Sequence, residues 1–181
     1  AVQIAKMKQD SVLKEIKMKR IPIKDSTNIL ERGRDLYVRK SCYTCHGADC
    51  AGGIINVNYA LKTIPPLNTL ASKLKIPDKE SADIIIKYLK QNIDLENVSE
   101  NPPFPTYGRF LAQYASITKK ILEGAAVVQK ADTTGPFPPL FMPAGDKYLT
   151  TAEINSMIAY MISLNDWQKD GTIFQHNLSK L

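Results

Sequence analysis

All three cysteines of this 181-residue chain stand within nine positions of one another, as Cys42, Cys45 and Cys50, and one of its two histidines, His46, directly follows the second of them. So tight a cluster cannot cross-link distant parts of a chain, which excludes a small disulfide-stapled scaffold. The fold must come from a hydrophobic core. With 44% hydrophobic and 23% charged residues, the composition is that of an ordinary globular protein, and this length supports one core with at most an appended arm. No stretch approaches the ~20 apolar residues of a membrane-spanning helix, and the longest, Met157 to Leu164, is interrupted by Ser163.

Charge is unevenly placed. Residues 1 to 24 carry seven bases and two acids, a net +5 of the total +6, so the remainder is nearly neutral. The basic character belongs to an N-terminal arm, residues 1–26, and a general nucleic-acid-binding surface is not indicated.

Cys42-Tyr43-Thr44-Cys45-His46 is a C-x-x-C-H string, the attachment signature of c-type haem. Two thiols three positions apart at the end of a helix can each form a thioether with an adjacent vinyl group of one haem, and the next imidazole then reaches the iron. The reading is one covalent haem c, with Cys42 and Cys45 as thioethers and His46 as proximal ligand. Two other chemistries use such cysteines. Zinc would have to recruit Cys50 and a histidine without a second C-x-x-C pair, and a redox dithiol calls for a βαβ context. Cys50 itself is either a small buried hydrophobe or an odd thiol available for an intermolecular disulfide.

Hydrophobic periodicity predicts helices and little else. Asn28 with Glu31 forms a capping box opening a helix to about Ser41, whose Gly33 costs ~1 kcal/mol relative to Ala and so points to a crossing helix. Glycines, asparagines and prolines from Gly47 to Pro66 mark a long loop. Ala82, Ile85, Ile86, Leu89 and Ile93 make an apolar stripe behind an Asp78 cap. Phe110, Leu111, Tyr114, Ile117 and Ile121 make another, stopped by Gly124. The proline-rich segment from Gly135 to Pro143 cannot be helical. A last helix opens at Thr150 with Glu153 completing a capping box, and buries Ile154, Met157, Ile158 and Met161. A polar tail, residues 166–181, has Trp167 as its anchor.

From about Asn28 to Leu164 the chain resembles the class I cytochrome c family. Gly33 and Tyr37 are similar to the family's glycine and aromatic that cross the C-terminal helix, where Tyr160 takes the matching aromatic place. Pro65-Pro66-Leu67 resembles the P-x-L element, which implies that the Pro65 carbonyl accepts a hydrogen bond from the proximal imidazole and that Leu67 lies against the porphyrin. Such a bond orients the imidazole and makes it more basic. The resemblance implies an all-α, cytochrome c-like fold around one covalently bound haem, over residues 27–165.

The sixth ligand requires sulfur or nitrogen, and the candidates are Met7, Met18, Met142, Met157, Met161 and His176. Met142 stands in Pro-Pro-Leu-Phe-Met-Pro before the last helix, as the family's axial methionine does, and Pro143 biases it to an extended conformation. Met157 and Met161, one turn apart on an apolar stripe, read as core. The interval of 96 residues from His46 to Met142 exceeds that of compact members, which implies an enlarged insert at about residues 68–124.

A His/Met iron leaves no open position, the design of an electron carrier. The resemblance implies export to the periplasm, and a chain beginning at Ala1 fits removal of a signal peptide. Redox protein partners are expected, acidic ones if the basic arm steers them, with a dimer or heteromer formed through Cys50 or the arm. The alternative is a relay subunit of a larger periplasmic oxidoreductase. A haem peroxidase is disfavoured, since no distal His/Arg pair is visible in a chain with two histidines.

Overall fold

The computed structural model describes residues 28–98, 100–125 and 129–167. The basic arm, nearly all of the polar tail, and with them Met7, Met18 and His176 lie outside the described residues. Gly33 shows why its helix carries a glycine. It lies in α1 (Ile29–Arg39), and a Cβ placed there would stand 1.9 Å from the carbonyl oxygen of Ser156 and 2.7 Å from the Cβ of Tyr160. Both belong to α6 (Thr151–Ser163), so the first and last helices of the described residues cross backbone to backbone. Tyr37 and Tyr160 meet beside the crossing with ring centroids 6.0 Å apart.

Between these helices run a four-residue turn, α2 (Tyr43–His46), then α3 (Leu70–Lys73), α4 (Lys79–Lys90), a 3-10 turn (Glu96–Val98) and α5 (Tyr107–Glu123). Among the described residues extended pairing is confined to isolated bridges, Ile55 with Thr63, Tyr59 with Lys130 and Ala125 with Met142. The described residues are all-α, as the sequence implied. Capping follows the chemistry of the helix starts. Asn28 accepts from Leu30 N at 3.0 Å, and Asp78 from Ser81 N at 2.7 Å. Thr150 and Glu153 form a complete capping box, which holds the Glu153 carboxyl below its usual range through the Thr150 backbone N–H.

Three sequence expectations shift. Helix α1 stops at Arg39 rather than Ser41, because Ser41 turns into the left-handed region at φ 60°. Helix α4 stops at Lys90, and the left-handed Asn92 carries Ile93 off the stripe. Helix α6 is not amphipathic but buried on all sides from Ile154 to Ile162, since α1, α3 and α4 all pack on it. Its one buried amide is satisfied, with Tyr114 Oη donating to Asn155 Oδ1 at 2.5 Å. Met157 and Met161 are core residues, 3% and 5% exposed. Along α5 only Tyr107 and Phe110 are fully buried, in an aromatic cluster with Phe104, and Leu111, Tyr114, Ile117 and Ile121 pack half-buried at the core's edge. Trp167 also packs half-buried against the core.

Two glycine substitutions are expected to act with opposite sign. Gly33→Ala should lower unfolding free energy by about 1–3 kcal/mol through overpacking. Gly108→Ala, on an α5 surface where a Cβ meets nothing within 4 Å, should leave it unchanged or raise it by up to ~1 kcal/mol. Denaturant unfolding of the two variants checks this.

Candidate functional site

The geometry of the motif starts from Ser41. Its left-handed backbone separates α1 from a new helical turn that begins at Cys42, whose N–H donates to the Tyr37 carbonyl at 3.0 Å. His46 N–H then donates to the Cys42 carbonyl at 3.0 Å. Cys42 and Cys45, three apart on this turn, present their side chains to one side. Both are free thiols and half-buried. Burial pushes the Cys42 thiol above its ordinary range, the reverse of the depressed thiolate that a redox dithiol uses.

The loop after the motif folds back to hold His46. Its Nδ1 lies 3.2 Å from the carbonyl oxygen of Pro65, so Nδ1–H donates there and Nε2 keeps its lone pair for a metal. Burial lowers the imidazole's affinity for a second proton, the Pro65 carbonyl opposes this, and the nearby Lys73 cation adds to the lowering. The neutral ring is the form that ligates. Lys73 is itself tied to this element, donating from Nζ to the Pro66 carbonyl.

Gly52 makes the approach of Pro65 possible. It sits at φ +66°, and a Cβ there would lie 2.6 Å from the Ile64 carbonyl oxygen and 2.7 Å from the carbonyl carbon of Pro65. Leu67 is anchored by donating from its N–H to the Cys50 carbonyl at 2.7 Å, and it packs half-buried against the core. Cys50 is fully buried. Its thiol is pushed up to about 11 by burial and interacts with the Tyr37 hydroxyl. Tyr37, an aromatic expected only to pack, also donates from Oη to the Gly47 carbonyl at 2.6 Å and so fixes the residue after His46.

Met142 belongs to a second, distant loop. It is half-buried, and its carbonyl accepts from Ala125 N–H at 2.8 Å. That approach depends on Gly124, at φ +73°, where a Cβ would meet the Met142 carbonyl oxygen at 2.5 Å. The segment leading to Met142 is joined to the loop that follows the motif through side chains that sequence reasoning missed. Asn56 donates from Nδ2 to the Leu140 carbonyl at 2.9 Å and accepts from Leu140 N–H at 3.1 Å. Asn58 donates to the Asp132 and Pro136 carbonyls at 3.0 and 2.6 Å. In one sequence both asparagines read only as loop markers, because their partners lie more than seventy positions away.

Residues 30–113 match the family model of cytochrome c. That segment is similar to a c-type cytochrome domain. This family binds haem c covalently and works in haem-based electron transfer, and two free thiols with an oriented neutral imidazole on one helical turn fit that group. No curated protein and no solved structure matches the chain. The matched segment ends inside α5, and the crossing at Gly33 packs α6, which lies beyond it, onto α1 within it.

Gly52→Ala tests the loop geometry. The added methyl needs a left-handed backbone and displaces the Pro65 segment, so unfolding free energy should fall by roughly 2 kcal/mol or more. The His46 Nδ1 proton resonance of the reduced protein should shift with it, whereas Gly108→Ala, on α5 with nothing within 4 Å of its Cβ position, should leave that resonance in place.

Proposed function

We propose that this protein is a one-electron carrier, with a single haem c held by Cys42 and Cys45 as thioethers, His46 as proximal ligand and Met142 as distal ligand. The bond from His46 Nδ1 to the Pro65 carbonyl carries the reading, because it leaves Nε2 free and fixes the ring plane. When bound, the haem supplies an iron that alternates between ferrous and ferric. The chain's own groups do the rest. Pro65 holds the proximal ring, and keeping its proton on Nδ1 maintains the ligating tautomer. Gly124, Ala125 and Pro143 fix the backbone of Met142 on both sides of the thioether. With His46 and Met142 as its two donors, a bound haem iron would favour the ferrous state and would have no position open to substrate. Leu67, at the edge of the core, excludes water from the porphyrin face.

The compartment proposed is the periplasm or its equivalent, as covalent haem attachment in this family implies. No helix among the described residues is long and apolar enough to cross a membrane. The basic arm steers the carrier towards acidic redox partners. A link to a second polypeptide falls to the arm rather than Cys50, whose sulfur would have to leave the core.

A second reading, an electron-relay subunit of a larger oxidoreductase, is favoured by one observation. The paired loops expose Ile55, Val57, Leu61, Phe137 and Phe141 at 58–76% of their surfaces, and large exposed apolar groups of this kind mark interaction sites. Copurification of a stoichiometric partner supports the subunit, and a monomer at micromolar concentration supports the free carrier.

The optical spectrum tests the ligands. The ferric protein should show the weak far-red band of a sulfur-to-iron transition, and Met142→Ala should abolish it and lower the reduction potential. A high-spin or bis-imidazole spectrum in the unmodified protein contradicts the proposal. Electron transfer with an acidic partner should slow as ionic strength rises, and deletion of residues 1–26 should flatten that dependence.

A further inference from the structure

We propose that Asn56 is a positioning residue that sets how firmly Met142 is held as the axial ligand, by pinning Leu140 to the loop whose other end carries Pro65. The inference rests on the Met142 assignment above. Asn56 is 1% exposed although it lies in a loop, and its amide offers Leu140 what a neighbouring strand's backbone would, an acceptor for its N–H and a donor for its carbonyl. Two residues later the Met142 carbonyl is held by Ala125. The thioether therefore hangs from a backbone clamped at both ends, and Pro143 restricts the residue between clamp and helix.

The other end of the connection is equally continuous. Asn56 N–H donates to the Lys62 carbonyl at 2.8 Å, Ile64 N–H to the Ile54 carbonyl at 2.8 Å, and Gly53 N–H to the Ile64 carbonyl at 2.9 Å. Pro65 follows directly, with its carbonyl on His46. One buried amide thus joins the loop that orients the proximal imidazole to the loop that presents the distal sulfur. Asn58 makes a similar bridge, but to Asp132 and Pro136, farther from Met142 along the chain. Removing the Asn56 amide leaves the N–H and the carbonyl of half-buried Leu140 without these partners, which is enough to loosen the tether by about tenfold.

The test is titration of the ferric holoprotein with imidazole, following loss of the far-red band as the thioether is displaced. Asn56→Ala should bind imidazole about tenfold more tightly than the unmodified protein, and Asn56→Asp, which keeps the acceptor for Leu140 N–H and loses the donor, should fall between. Asn58→Ala should stay within about twofold. Thermal unfolding identifies a variant that has lost its fold, in which case the aspartate variant decides. A band that resists imidazole equally in the unmodified protein and in the Asn56 variants overturns the coupling alone, as does an equal response at Asn58. A band missing from the unmodified protein, or surviving Met142→Ala, overturns the ligand assignment and the coupling with it.

Discussion

The backbone contact between α1 and α6 at Gly33 is the constraint on which the other features depend. Helix α1 delivers the C-x-x-C-H turn at its C-terminal end, and α6 closes the core that buries that turn's neighbours. Their separation is set where the Gly33 Cα faces the Ser156 carbonyl, because no side chain fits between them. Close packing at this point makes α6 a central helix, buried from Ile154 to Ile162. Its neighbours α3 and α4 then take their places by covering the remaining apolar surface.

The site uses helices for precision and loops for reach. The motif sits on one helical turn with its geometry fixed by backbone hydrogen bonds, yet Pro65, which holds His46, and Met142, the proposed distal ligand, come from segments without regular structure. Such segments hold their shape only if their backbone polar groups find partners. Here the partners are supplied by other loops. The Cys50 carbonyl takes the N–H groups of Leu67 and Asn68, Asn56 serves Leu140, and Asn58 serves residues 131 to 136. A network of this kind is cooperative in the sense that an orphaned buried group costs more than a formed bond contributes.

Burial also sets the protonation states around the motif. Tyr37 is held far above its ordinary titration range by burial and remains a neutral donor to Gly47, while His46 is kept neutral by the same desolvation. The effect on the two groups is opposite in direction and has one cause, the cost of a charge in an apolar surrounding. Lys73 stands near enough to add to it at His46.

Much of this was legible in the residues themselves. The C-x-x-C-H spacing, the caps at Asn28, Asp78 and Thr150, the stop at Gly124 and the crossing implied by Gly33 are local signals, because each depends on neighbours within one or two helical turns. The bond from His46 to Pro65 was foreseeable only through resemblance, as nothing in the spacing of nineteen positions fixes it. Asn56, Gly52 and Gly124 as hinges between segments, the second role of Tyr37 and the all-round burial of α6 were decided by tertiary structure alone. Their meaning lies in what stands opposite, and a residue's sequence neighbours carry no record of a carbonyl eighty-four positions away.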